Sequence, residues 1–75
     1  ALTAGDDGLS VIRRLLAGGQ QYLIPGGYLA IELEYRQWPT AAHIAEALGW
    51  RVLPALLDLE GRERFIILQT LRKEN

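Results

Sequence analysis

A chain of 75 residues with a net charge of −1 and no cysteine is one small domain or a piece of a larger one. Folds of this size bury only about 60% of their unfolded surface and commonly add disulfides or a metal, but no cysteine and one histidine supply neither. The charge balance gives no electrostatic reason to bind nucleic acid or an anionic membrane, and the apolar runs are too short to span a bilayer.

The remaining composition, 49% apolar and 23% charged, is that of a folded and not a disordered chain. A good core pattern without a staple leads us to expect that further chain covers this one. The absence of any methionine fits that expectation. The acidic start shows no signal peptide, and a cytoplasmic location is expected.

The expected order over residues 1–75 is helix, strand, helix, strand, strand in one unit. Asp6 or Asp7 should open the first helix, since a carboxylate there accepts from free backbone N–H groups and favours the positive helix end. Leu9, Ile12, Leu15, Leu16, Gly19, Tyr22 and Leu23 recur at helical spacing as one buried stripe. Gly18-Gly19 costs roughly 1 kcal/mol per residue in helix propensity, a cost that a close packing partner would justify. Pro25-Gly26-Gly27 reads as a turn.

Tyr28 to Leu33 is nearly continuous in apolar character, which suits a strand covered on both faces, with Glu32 near its end. Trp38-Pro39-Thr40 starts the second helix, proline fitting its first position. Ala41, Ile44, Ala45 and Leu48 form its stripe. Gly49 is placed for a left-handed C-terminal cap, over which Trp50 can fold its ring. Arg51 to Leu57 reads as a strand that Pro54 confines to a sheet edge. After the turn 58–62, Arg64 to Thr70 is apolar on both faces and should be internal, paired as a hairpin with its predecessor. The class expected is α/β, with a three-stranded mixed sheet whose antiparallel last strand lies in the middle.

Three stretches carry a family resemblance: Ala1 to Leu9, Leu23 to Glu32, and Asp58 to Phe65. In that order and spacing they resemble the C-terminal part of the HemK/PrmC protein-glutamine methyltransferases. The first resembles the segment after that family's Asn-Pro-Pro-Tyr motif, the second its fifth strand with the preceding turn, the third the turn before its last strand. Where the family shows glycine, an aromatic, any residue and glutamine, this chain has Glu34-Tyr35-Arg36-Gln37.

The resemblance implies a Rossmann-like fold and transfer of a methyl group from S-adenosylmethionine to a glutamine side-chain amide. The family's protein substrates are translation release factors. Its glycine-rich cofactor loop and its amide-gripping motif lie upstream of the matched region, and neither occurs here. Gly18-Gly19 lies in a helical pattern and Gly26-Gly27 enters a strand, so neither pair replaces that loop. The chain is therefore expected to bind no S-adenosylmethionine by itself, to be inactive alone, and to need the upstream half of the domain as its partner.

Candidate substrate contacts are Asp7, Gly8 and Glu32; no catalytic, cofactor-binding or metal residue is assigned. Helix capping by Asp6 and Asp7, and a surface or locally paired carboxylate at Glu32, are the alternatives. His43 lies off its helix stripe with no triad partners and reads as a surface histidine. Asp58, Glu60, Arg62, Glu63 and Arg64 read as a solvated turn with loose ion pairs. The rival function is a small interaction or dimerisation module, self-associating through the edge of strand 28–33 or through uncovered helix faces.

Overall fold

The computed structural model describes residues 8–72. Helix α1 spans Leu9–Gly18 and tightens into a 3-10 turn, Gly19–Tyr22; strand β1 is Tyr28–Glu32. A second 3-10 turn, Tyr35–Gln37, leads into α2, Trp38–Ala47, followed by β2, Trp50–Val52, β3, Leu56–Leu57, and β4, Glu63–Thr70.

β4 runs down the middle of the sheet, with β1 on one side and β2 on the other, and with β3 also paired to β4. Every pairing is antiparallel, Ala30 lying opposite Ile67, Arg51 opposite Gln69 and Leu56 opposite Phe65. The sheet among the described residues is thus antiparallel and not mixed. The single strand expected from Arg51 to Leu57 is two. Pro54 has no N–H for the ladder, so pairing stops after the Leu53 N–H donates to the Ile67 carbonyl at 3.0 Å and resumes at Leu56.

Period-two alternation sends Leu29, Ile31, Trp50, Val52, Ile66, Leu68 and Thr70 to one face. There they pack with Leu9, Ile12 and Leu16 of α1 and Ala41, Ala42, Ile44 and Ala45 of α2 in one cluster. The opposite face carries Tyr28, Ala30, Leu56, Phe65 and Ile67, and Tyr28 and Leu56 are exposed. β1 is therefore covered on one face only among the described residues, contrary to the reading of its sequence. Its apolar run includes two residues, Tyr28 and Ala30, that point to the open face.

The helix ends differ from expectation in two places. α1 begins at Leu9 with Gly8 at the N-cap in a left-handed conformation (φ 82°). Asp6 and Asp7, expected to cap it, lie outside the described residues. Leu15 sits on the flank of the stripe at 44% exposure, and Tyr22 is 84% exposed. The switch from 3.6 to 3.0 residues per turn after Gly18 carries Tyr22 off the buried side. α2 ends as its sequence suggests, with Gly49 left-handed (φ 88°) and its N–H donating to the Glu46 carbonyl. Leu48, expected in the stripe, is instead exposed at this end.

Trp50 does more than cover the end of its own helix. It is 2% exposed, and its indole Nε1 donates to the Leu16 carbonyl in α1 at 2.9 Å. A Cβ built on Gly19 would stand 3.4 Å from the Trp50 ring, an ordinary contact distance, so the end of α1 packs directly on that ring. Gln20 adds a polar tie: its amide donates to the Leu48 carbonyl, and its Oε1 accepts from the buried Thr70 hydroxyl. The Arg72 guanidinium donates to the carbonyls of Gln21 and Leu23, fixing the chain beyond β4 against the end of α1.

Trp50→Phe keeps the packing but leaves the Leu16 carbonyl without this donor. It is expected to lower unfolding stability by about 1–3 kcal/mol, read from urea denaturation midpoints at unchanged slope.

Candidate functional site

In open α/β sheets, ligands gather beyond the carboxyl ends of the parallel-running strands. The corresponding place here is the end of β1, where Glu32 to Arg36 leave the sheet beside the turn that feeds β4. The Leu33 N–H donates to the Arg64 carbonyl at 2.9 Å, and the Trp38 indole donates to the Phe65 carbonyl at 3.2 Å. These bonds fasten the loop to the first residues of β4.

Glu34 organises the loop. Its carboxylate accepts from the Arg36 backbone N–H and at 3.0 Å from Arg36 Nε, while the Gln37 side chain accepts from the Glu34 N–H. This reciprocal arrangement is a capping box built from Glu-x-x-Gln. Glu34 has φ −72° and ψ 132°, ordinary extended backbone, so the position where the resembled family shows glycine requires none here.

The turn 58–62 is ordered by one carboxylate and not by loose pairs. Asp58 Oδ1 accepts from the backbone N–H groups of Glu60 and Arg62 at 2.8 and 2.9 Å, and Oδ2 accepts from Arg64 Nε at 3.1 Å. Arg62 Nε lies 3.6 Å from the same oxygen. Gly61 supplies the left-handed residue (φ 80°) that the turn needs. The Arg62 backbone N–H above all, then those of Glu60 and the Arg64 side chain, hold the Asp58 carboxyl below its ordinary value, against the opposing effect of desolvation.

Loop and turn meet at Tyr35, whose ring centroid is 5.5 Å from the Arg36 guanidinium and 5.3 Å from that of Arg62. Each arginine is already paired: Arg36 with Glu34, Arg62 with Asp58 and Glu60, Arg64 with Asp58. The patch is a preorganised aromatic and guanidinium surface with its charges balanced, and it holds no nucleophile beside a base. Glu32 is exposed on the open sheet face, opposite Phe65. Gly8 lies in the helix layer at the start of α1, and Asp7 is outside the described residues. The structure shows no site that Glu32 and Gly8 build together.

Elsewhere, an apolar groove of about 380 Å³ lies between α1 and α2, lined by Arg13, Ala17, His43, Ile44, Ala47 and Leu48. His43 is exposed on its rim. Among the described residues no three His, Cys, Asp or Glu side chains gather as a metal would need. No described helix is long and apolar enough to cross a membrane.

The sequence reading missed the ordering of both loop and turn. Its signals were present: Glu34 and Gln37 at capping-box spacing, and Asp58 followed by Gly61, a pattern in which aspartate folds its own turn.

The chain is 48% identical over 68 residues to the release factor glutamine methyltransferase of Deinococcus radiodurans, covering 88% of this chain. Identity is 41% over 71 residues to that of Thermosynechococcus vestitus and 38% over 66 to that of Cereibacter sphaeroides. This segment belongs to the release factor glutamine methyltransferase family. It spans about a quarter of the length of these relatives, 23% to 24%. No family model and no solved structure matches the chain.

The methyltransferase segment should owe part of its acid sensitivity to Asp58. A carboxyl with a lowered folded-state value stabilises the fold above its ordinary value of 3.8, and this stabilisation is lost as pH falls through the folded value. Stability should therefore fall on acidification below about pH 4, and Asp58→Asn should show a shallower fall with a lower plateau at neutral pH. Thermal unfolding of both forms between pH 2 and pH 7, at roughly unit steps, measures this.

Proposed function

We propose that this chain is the C-terminal portion of a Rossmann-like, S-adenosylmethionine-dependent methyltransferase domain that methylates a glutamine side-chain amide in a release-factor substrate. By itself it is not catalytic. The observation that carries the reading is the pattern of identity: 48% and 41% over most of this chain, against 23% and 24% of the relatives' length. The structure supports it in kind. Among the described residues β1 pairs with β4 alone, and one sheet face bears Tyr28, Ala30, Leu56, Phe65 and Ile67 without a helix upon it. An upstream half of the domain, pairing along β1 and covering that face, would satisfy both. In that reading the order β1-β4-β2 is the end of the larger sheet.

The residues present do not fit S-adenosylmethionine. Gly18 closes α1 and Gly19 faces Trp50, while Gly26 and Gly27 lead into β1; none follows a strand into a helix, the geometry that offers backbone N–H groups to a cofactor. No step through the cofactor is assigned to this chain. Its own contribution is to complete the sheet and to place Glu32 and the Tyr35 patch at the strand end where substrate would approach; Asp7 and Gly8 are proposed to approach the same substrate. Soluble cytoplasmic working conditions belong to the same proposal.

A chimera tests it. Replacing the matching 68-residue segment of the Deinococcus radiodurans enzyme by this chain should preserve methylation of a release-factor glutamine, while the chain alone transfers no methyl group. A folded chimera without activity would contradict the assignment.

Within that chimera, Glu32→Gln should raise KM for the protein substrate by roughly 2- to 10-fold, the loss of one hydrogen bond, without moving the unfolding midpoint. An unchanged KM would remove Glu32 from the substrate surface.

A further inference from the structure

We infer that Asp58 is a positioning residue for the protein substrate: through Arg62 it sets the ring of Tyr35 at the carboxyl end of β1. The inference rests on the methyltransferase reading above, in which substrate approaches that strand end.

Two guanidinium groups of different origin reach Tyr35. Arg36 is its neighbour in the chain and pairs with Glu34 of the same loop, at 76% side-chain exposure. Arg62 comes from the turn between β3 and β4, and its side chain is 34% exposed. Exposed ion pairs hold a side chain weakly. The better-covered Arg62 therefore fixes the ring more than Arg36 does.

What places Arg62 is Asp58. Its Oδ1 accepts from the Arg62 backbone N–H at 2.9 Å, and its own N–H donates to the Arg62 carbonyl at 2.8 Å. Both backbone groups of Arg62 are thus gripped by one residue. Oδ2 stands 3.6 Å from Arg62 Nε, which is closed to solvent and has no hydrogen-bond partner among the described residues. A buried donor left in this way is uncommon. Here the guanidinium is held by carboxylate charge, from Asp58 and the exposed Glu60, and by the face of the Tyr35 ring.

The loop backbone does not depend on this carboxylate. Leu33 and Trp38, on either side of Tyr35, are fastened to the Arg64 and Phe65 carbonyls, and the box of Glu34 and Gln37 closes the turn between them. Loss of the Asp58 charge should free Arg62, and with it the Tyr35 ring, while the chain around the ring stays in place. A ring already ordered in the free enzyme spares substrate binding the entropy of ordering it.

Asp58→Asn is the decisive variant, since the amide oxygen can still accept from the Glu60 and Arg62 N–H groups while the charge is gone. In the Deinococcus chimera, assayed well below its unfolding midpoint, it should raise KM for the release factor about two- to fivefold, the strength of one exposed cation–π contact. The turnover number and KM for S-adenosylmethionine should not move. Arg62→Lys, which keeps the charge but not the planar group, should do the same. Tyr35→Leu should raise the same KM at least as far, and adding Asp58→Asn to it should change nothing further, because Asp58 acts through that ring.

A purely structural Asp58 would lower the unfolding midpoint and leave KM for the release factor unmoved, and that result overturns the inference. So do effects of Asp58→Asn and Tyr35→Leu that simply multiply. These outcomes are read against an active unsubstituted chimera; an inactive one overturns the methyltransferase reading itself, and the inference with it.

Discussion

The whole arrangement depends on β4 being an interior strand that everything else is built against. It takes β1 along one side and β2 and β3 along the other, and its residues Ile66, Leu68 and Thr70 are almost fully buried beneath the helices. A strand with both edges paired has no free backbone donors or acceptors along its length. The hydrogen bonds of three other strands therefore converge on eight residues near the end of the chain. β1 has no other described strand to pair with than Glu63–Thr70, whereas α1 packs against α2.

The helix layer is held to this sheet at one corner. Trp50 reaches from β2 to the backbone of α1, Gln20 joins the ends of α1, α2 and β4, and Arg72 closes the chain over the carbonyls that follow. The opposite corner is held by carboxylates acting on local backbone, Glu34 in the loop after β1 and Asp58 in the turn before β4. At that second corner Tyr35 meets the guanidinium groups of Arg36 and Arg62, at the carboxyl end of β1. The open β1 edge and the uncovered sheet face are the remaining features, and both are accounted for if this segment works as part of a larger methyltransferase domain.

Much of the scaffold was legible in residue types whose conformations are restricted. Pro39 and Gly49 bracket α2, Pro54 marks the interrupted edge, and the double-sided apolar pattern of Arg64 to Thr70 marks an interior strand. These hold because backbone geometry and pairing capacity are local properties. Contacts between distant elements were not legible. Trp50 was read against its own helix, whereas its indole bonds to a residue 34 positions away. The helix periodicity failed at Tyr22, where Gly18-Gly19 let the helix tighten. At the candidate site, Glu32 was legible at the strand end, but no local pattern sets the distance between Tyr35 and Arg62, which meet only because the sheet folds their loops together.

The central claim is that this chain supplies the closing part of a methyltransferase sheet and that its cofactor chemistry resides elsewhere. Titration of the isolated chain with S-adenosylmethionine by calorimetry, beside the same titration of the Deinococcus chimera, tests it most directly. The account predicts no heat of binding from the chain and a saturable isotherm from the chimera. Saturable binding by the chain alone would show a cofactor pocket within these residues and contradict it.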